Sequence, residues 1–275
     1  MKRKKSWRNP SVLLLTLGLF FNGCASTEFF KDFNIISPEQ EQQLGDQLHQ
    51  SITEQSTIIT DPTVDNYVKS VGRNLVAVSR FPNQNYQFHV IEDPSVNAFA
   101  IPGGHLYVQT GLIQAADTEA ELAAVMAHEL GHAEERHPTE RLSATYGTKM
   151  LLGMIFGESP GQLQQLAGTL IATGGISAYT RSMEREADEI GVYLLNRAGY
   201  DPNGMTQFFS KLERLEQQSS APTGAALFST HPATPERIQN VTALIQSFGA
   251  DKADKLEIVG NFQQVKKRVA AITGK

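Results

Sequence analysis

Apolar residues at Leu122, Val125, Met126, Leu130 and Ala133 recur at helical spacing. Thr118 and Glu121 form a T-x-x-E capping box ahead of them, with Asp117 just upstream, and Pro138 is expected to end the helix just after His137. At about 100° per residue, Leu122, Met126 and Ala133 define one stripe and Glu129 projects into its middle. His128 and His132 share one face along the edge of that stripe, and His137 falls on the opposite side. Elsewhere, Ser37-Pro38 opens a helix and Asp61-Pro62 opens another that runs to about Val78. "YQFHVIED" alternates and predicts a strand. "VNAFAIPGGHLYVQTGLI" predicts two extended segments joined at Pro102-Gly103-Gly104. Gly153, Gly157 and Pro160 break the apolar run from Gly147 to Ser177 into short buried helices, not a membrane span. Three more helices are predicted near 180–198, 202–218 and 235–248; the pattern after Ala250 is ambiguous. The sum is an α+β fold, mostly helical, with a small sheet.

At 275 residues and 40% hydrophobic composition the chain can bury one sizeable core. Its net charge is -5, and its basic residues crowd at the start, so nothing points to a nucleic-acid surface. Neither internal repeats nor heptads are present. The opening "MKRKKSWRNPSVLLLTLGLFFNGC" has a cationic segment, then an apolar run from Val12 to Phe21 too short to span a bilayer comfortably. Cys24 follows it. As the single cysteine in the chain it has no disulfide partner and cannot join a multi-cysteine zinc site. The arrangement resembles a bacterial lipoprotein signal, in which the cysteine is acylated and becomes the mature N-terminus. The expected organisation is a signal peptide over 1–23, a tether over 24–36, one domain over 37–250 and a tail over 251–275. By the same resemblance, Ala25 after the cysteine implies the periplasmic face of a Gram-negative outer membrane, with the lipid on Cys24 as the membrane contact.

Glu129 is costly on a buried stripe beside two imidazoles unless something compensates its charge. A metal ion would. Two histidines one turn apart can reach one ion, and the intervening glutamate can reach a water on it; "HELGH" at 128–132 is the H-E-x-x-H pattern of zinc hydrolases. The plainer reading is an amphipathic helix with core or solvated histidines. A catalytic zinc takes three protein ligands and one open position. Extended patterns with a glycine and a third histidine fail, because Glu135 and Pro138 stand at those places, and no cysteine is available. "RSMEREADEIGVYLL" offers carboxylates instead. Counting helical steps puts Glu184 and Asp188 on the border of its apolar side, one turn apart, and turns Glu186 and Glu189 to solvent. Glu184 is therefore the expected third ligand. Asp188 is expected to accept the N–H of a ligand imidazole and fix its tautomer.

H-E-L-G-H at 128–132, "SMEREAD" at 182–188, "STHPATPERI" at 229–238 and "NAFAIPGGHLYVQTGL" at 97–112 together resemble the zinc metallopeptidases related to HtpX, CAAX prenyl protease and the Oma-type proteases. The resemblance runs from Ser37 to Phe248 and looks closest to a periplasmic lipoprotein branch. It implies a zincin-like domain with one Zn2+ per chain on His128, His132 and Glu184. It also implies a role for His231, either steadying the oxyanion or covering the zinc when no substrate is bound. His49, His89 and His105 are read as structural; Tyr179 and Arg181 are candidates to line the cleft. The implied chemistry is peptide hydrolysis: zinc acidifies a water and polarises the scissile carbonyl, and Glu129 takes the proton and passes it to the leaving amine. The segment from Ala98 to Ile101 can bind substrate as an added strand, a mode that grips backbone and suits unfolded or misassembled envelope proteins. Two rivals stand beside this: a chaperone-like assembly factor with a mainly structural zinc, and a small-substrate amidase or deformylase-like hydrolase.

Overall fold

Each long helix near the site begins where the chain supplies an oxygen to cap it. Side chains of Ser37, Asp61, Thr118, Thr180 and Thr234 accept backbone N–H groups of the turn that follows, and Pro38, Pro62 and Pro235 sit in first turns where no N–H is needed. The computed structural model describes residues 36–176, 179–218, 227, 230–232, 234–248 and 258–274. The predicted signal peptide, Cys24 and nearly all of the tether lie outside the described residues. No helix among the described residues is long and apolar enough to cross a membrane.

Two helices, α1 (Pro38–Gln55) and α2 (Pro62–Val76), lead into a three-stranded sheet of β1 (Gln87–Ile91), β2 (Ala98–Ile101) and β3 (His105–Gln109). The strand order is β1-β3-β2, with β3 parallel to β1 and antiparallel to β2. Between β2 and β3 the chain turns through Pro102, Gly103 and Gly104, and both glycines have positive φ. Period-two alternation sorts the sheet into two faces. Phe88, Val90, Ala98, Ala100, Leu106 and Val108 join a core with α2 and the helix α4 (Glu119–Glu134). Ile91, Phe99, Ile101 and Tyr107 join a second core with α1, α6 (Thr148–Ile155) and α7 (Pro160–Thr173). The short helices α3 (Thr110–Ala115) and α5 (His137–Tyr146) complete this half; α8 (Arg181–Ala198), α9 (Asn203–Gln218), α10 (Pro235–Ser247) and α11 (Phe262–Thr273) follow.

Every residue of α4 is buried, which its apolar stripe alone did not show. Its other faces are alanine and glycine, and these let neighbours approach closely. A Cβ on Gly131 would lie 2.9 Å from the carbonyl oxygen of Ala187 in α8, and one on Gly191 of α8 would lie 3.2 Å from the backbone nitrogen of His128. The two helices therefore meet at backbone distance. The tail closes the far end. Phe262, Val265 and Val269 are buried, and the N–H groups of Ile258, Val259 and Gly260 donate to the Glu119 carboxylate at 2.6, 2.9 and 3.0 Å.

Four expectations are corrected. The capping box of α4 is half formed: Thr118 accepts from the Glu121 N–H, but the Glu121 carboxylate accepts from Asp117. The helix also ends earlier than Pro138, at Glu134. Arg136 takes a left-handed conformation, held by Glu41 and by the Ile36 carbonyl, and Pro138 sits in the first turn of α5. His137 consequently does not point away; it is buried and turned back towards His132. Lastly, Thr110–Ala115 is a helical turn after β3, not part of an extended segment.

The α4–α8 approach yields a stability test. Gly131→Ala should cost roughly 1–3 kcal/mol, because its new methyl meets backbone that cannot rotate away. Gly161→Ala in α7, where a Cβ meets nothing within 4 Å, should be neutral or gain up to about 1 kcal/mol from helix propensity. Urea unfolding of the two variants measures both.

Candidate metal centre

Since α4 meets α8 at backbone distance, the residues one turn apart on each helix face one another. His128 and His132 present their Nε2 atoms 3.1 Å apart. The Glu184 carboxylate lies 3.5 Å from His132 Nε2 and 3.6 Å from His128 Nε2. His231 enters from the segment before α10, with its Nδ1 3.2 Å from His128 Nε2 and 2.9 Å from Glu184 Oε1. All four side chains are buried, and each offers a ligand atom within 4.8 Å of the others. Glu129 flanks the group. The Ala100 N–H of β2 donates to its Oε2 at 3.1 Å, while its Oε1 is buried without a hydrogen bond, 3.4 Å from His231 Nε2.

A second layer holds these groups. Asp188 Oδ1 is 3.0 Å from His128 Nδ1. Arg237, on the first turn of α10, donates to both oxygens of Asp188 at 2.7 Å and lies 2.6 Å from Glu184 Oε2. On the other side His132 Nδ1 is 2.9 Å from His137 Nδ1, and His137 Nε2 is 3.3 Å from Glu186. Glu186 is thus half-buried against His137 and does not simply face solvent, whereas Glu189 is exposed. Tyr179 stacks on the His132 ring at 3.9 Å between centroids. Tyr179 and Arg181 line a cavity of about 360 Å³ with Glu184, Arg185 and Arg237.

These surroundings push the two glutamates apart. Burial raises the Glu129 pKa, and His231 and His128 offset this only in part. Burial alone would raise Glu184 too, but His231, His132 and His128 outweigh it and hold that carboxyl well below the usual range. Asp188 is likewise lowered against its burial, by hydrogen bonds from Arg237 and His128. Burial holds the His132 pKa well below its ordinary value, which favours the neutral ring that a metal would need. His231 is raised, because Glu184 and Glu129 outweigh its burial. One acid is held ionised and the other is tuned upward, as acid–base chemistry requires. Two imidazoles, a carboxylate and a third imidazole form a nitrogen–oxygen donor set that suits a zinc-like ion, and the buried, unbonded Glu129 oxygen stands beside it.

Arg237 is the residue that sequence reasoning missed. It stands in "TPERI", two positions after the helix-opening Pro235, and a lone arginine beside a cap reads as surface. Two buried acids one turn apart on α8 were the available signal that a cation had to be near.

An H-E-x-x-H helix buried against a second helix that supplies a carboxylate defines a zincin-like metallopeptidase domain. The chain belongs to peptidase family M48, which it matches over residues 62–245. It is 33% identical to the beta-barrel assembly-enhancing protease of Escherichia coli (strain K12) over 212 residues, which cover 74% of this chain and 43% of that protein. It is 34% identical to the mitochondrial metalloendopeptidase OMA1 of Schizosaccharomyces pombe over 175 residues, 64% of this chain and 51% of that protein. The OMA1 of Saccharomyces cerevisiae is 29% identical over 187 residues, 66% and 50% of the respective chains. The chain therefore spans about half the length, or less, of these relatives.

Removing Arg237 should expose its role. Arg237→Met leaves Asp188 and Glu184 buried without their cation and should destabilise the fold by about 3–5 kcal/mol. The double variant Arg237→Met/Asp188→Leu should recover part of that loss. Chemical denaturation of the two proteins tests this, and equal losses would count against the pairing.

Proposed function

We propose that this chain is a zinc-dependent endopeptidase of the bacterial envelope that acts on unfolded or misassembled envelope proteins. The observation that carries the reading is the placement of Glu129, an acid with a raised pKa and one unbonded oxygen, beside the His128, His132 and Glu184 donor set. Those three residues would hold the ion, and zinc supplies a Lewis acid that acidifies water and polarises a carbonyl. The chain does the rest. The Ala100 N–H fixes one Glu129 oxygen and leaves the other free to take and return a proton. Asp188 orients His128, and Tyr179 packs against His132. Among the described residues β2 pairs with β3 on one side only, and its other edge lies beside the catalytic carboxylate, where an extended polypeptide can add as a strand. Recognition through backbone suits unfolded substrates. The relatives' printed names, a beta-barrel assembly-enhancing protease among them, support the envelope setting. The Cys24 leader supports a lipid anchor on the periplasmic face of the outer membrane.

A second reading rests on His231. Its place in the donor set gives the ion four protein ligands, which is how a structural site is filled. On that reading the chain is a chaperone-like assembly factor. We favour a covering role, in which His231 occupies the fourth position and leaves when substrate enters, because the α10 segment that carries it lines the cavity at Pro232 and Thr234.

Cleavage of an unfolded protein such as reduced casein separates these. Glu129→Gln should keep its metal and lose about 10²–10⁴-fold in rate. His231→Ala should keep its metal, bind a hydroxamate more tightly and cleave faster than wild type. Glu184→Gln should lose metal and activity together, while Glu186→Gln keeps both. Wild-type cleavage by a metal-loaded Glu129→Gln protein would sink the peptidase reading. No cleavage by wild type or by His231→Ala would favour the assembly factor.

A further inference from the structure

The three histidines read from sequence as structural are brought together by the fold. His89 of β1 and His105 of β3 point to the sheet face opposite α4, where His49 of α1 covers them. His89 Nε2 and His105 Nδ1 are 3.2 Å apart. The His49 ring centroid is 4.3 Å from that of His89 and 4.6 Å from that of His105, and each ring offers a nitrogen within 4.8 Å of the others. The nitrogen spacing resembles that of the candidate catalytic centre, where His128 and His132 nitrogens are 3.1 Å apart; the rings are stacked at 13° to 27° here and edge-on at 84° there, so His49 would turn to aim its nitrogen at an ion. Ligand nitrogens around a tetrahedral zinc stand roughly 3.3 Å apart, from bonds of about 2.0–2.1 Å.

Partners set the tautomers. Asp46 accepts from His105 Nε2 at 3.0 Å, which leaves Nδ1 as a lone pair aimed at His89. Such a carboxylate–imidazole pair is the usual support behind a metal-binding histidine. His49 Nδ1 lies 2.7 Å from the Tyr107 hydroxyl; with Nδ1–H as donor, its Nε2 carries the lone pair. His105 Nδ1 faces His89 Nε2 at 3.2 Å, a pair that either a shared proton or a cation can join. His49 and His89 are only half-buried, which gives an ion a way in.

We propose that His49, His89 and His105, with Asp46 behind His105, form a second metal site for a zinc-class divalent cation, separate from the H-E-x-x-H centre and across the sheet from it. Three nitrogens with solvent in the remaining position suit Zn2+, Ni2+ or Cu2+, and exclude Mg2+ and Ca2+, which take oxygen ligands. The site ties α1 to β1 and β3, so its cation acts as a clamp on the N-terminal helix. It is independent of the proposed peptidase activity.

Zinc stoichiometry of the full chain tests this. Metal analysis after equilibration with micromolar Zn2+ should find two ions per wild-type chain. His49→Gln/His89→Gln, changed at half-buried positions, should bind one. His128→Ala/His132→Ala should also keep one, with a shell of three imidazoles by X-ray absorption and a melting temperature that rises when zinc is added. If His49→Gln/His89→Gln fails to fold, the His128→Ala/His132→Ala protein decides the matter alone. Equal zinc in wild type and a folded His49→Gln/His89→Gln protein would overturn the site. Loss of all zinc from His128→Ala/His132→Ala would overturn it as well. Failure of the catalytic-centre reading would show differently, as a wild type whose single zinc disappears in His49→Gln/His89→Gln.

Discussion

The close approach of α4 to α8 is the constraint on which the rest of the site depends. Gly131 admits the Ala187 carbonyl, and Gly191 admits the backbone of His128. With a Cβ at those places the facing backbone would have to give way by some tenths of an ångström. Glu184 would then no longer lie 3.5 Å from His132, nor Asp188 3.0 Å from His128. Small residues buy proximity here, and proximity converts two ordinary amphipathic helices into a converging set of ligands.

Proximity also creates an electrostatic problem. Glu129, Glu184 and Asp188 are all buried within this region, and Arg237 is the fixed cation set against them. Burying charge without compensation is strongly unfavourable. Arg237 takes up Asp188 and Oε2 of Glu184, leaving Oε1 to His132 and His231. A divalent cation between those histidines and Glu184 would complete the balance. Glu129 is left as the acid whose pKa burial raises, the property that its proposed role as general base calls for. The chemistry and the stability of the core therefore rest on the same charges.

How much of this was legible in the sequence follows from distance along the chain. His128, Glu129 and His132 sit within one regular helix, so spacing alone placed them together. Counting along α8 put Glu184 and Asp188 on one border, because α8 is regular and amphipathic, and the structure sets both beside the H-E-x-x-H turn. α8, α9, α10 and the Pro102 turn were legible for the same reason, whereas α11 lies in the stretch after Ala250 whose pattern was ambiguous. What was not legible lies across breaks. His137 was misplaced because Arg136 adopts a left-handed conformation that no periodicity signals. Glu186 was assigned to solvent because its partner, His137, had been sent to the wrong side. Arg237 and the His49, His89 and His105 group depend on contacts between elements far apart in sequence, and each residue reads as ordinary in its own neighbourhood. The complete burial of α4 was hidden by alanine, which is apolar enough to bury and too small to advertise it.

Anomalous diffraction at the zinc edge, on crystals of the wild-type chain grown with Zn2+, tests the central claim most directly. The account predicts a peak bounded by His128 Nε2, His132 Nε2 and the Glu184 carboxylate, each about 2.0–2.2 Å from the ion, with the Glu129 carboxylate near it but not bonded to it. A zinc-loaded crystal with no peak between α4 and α8, or with Glu184 turned away from the ion, would contradict it.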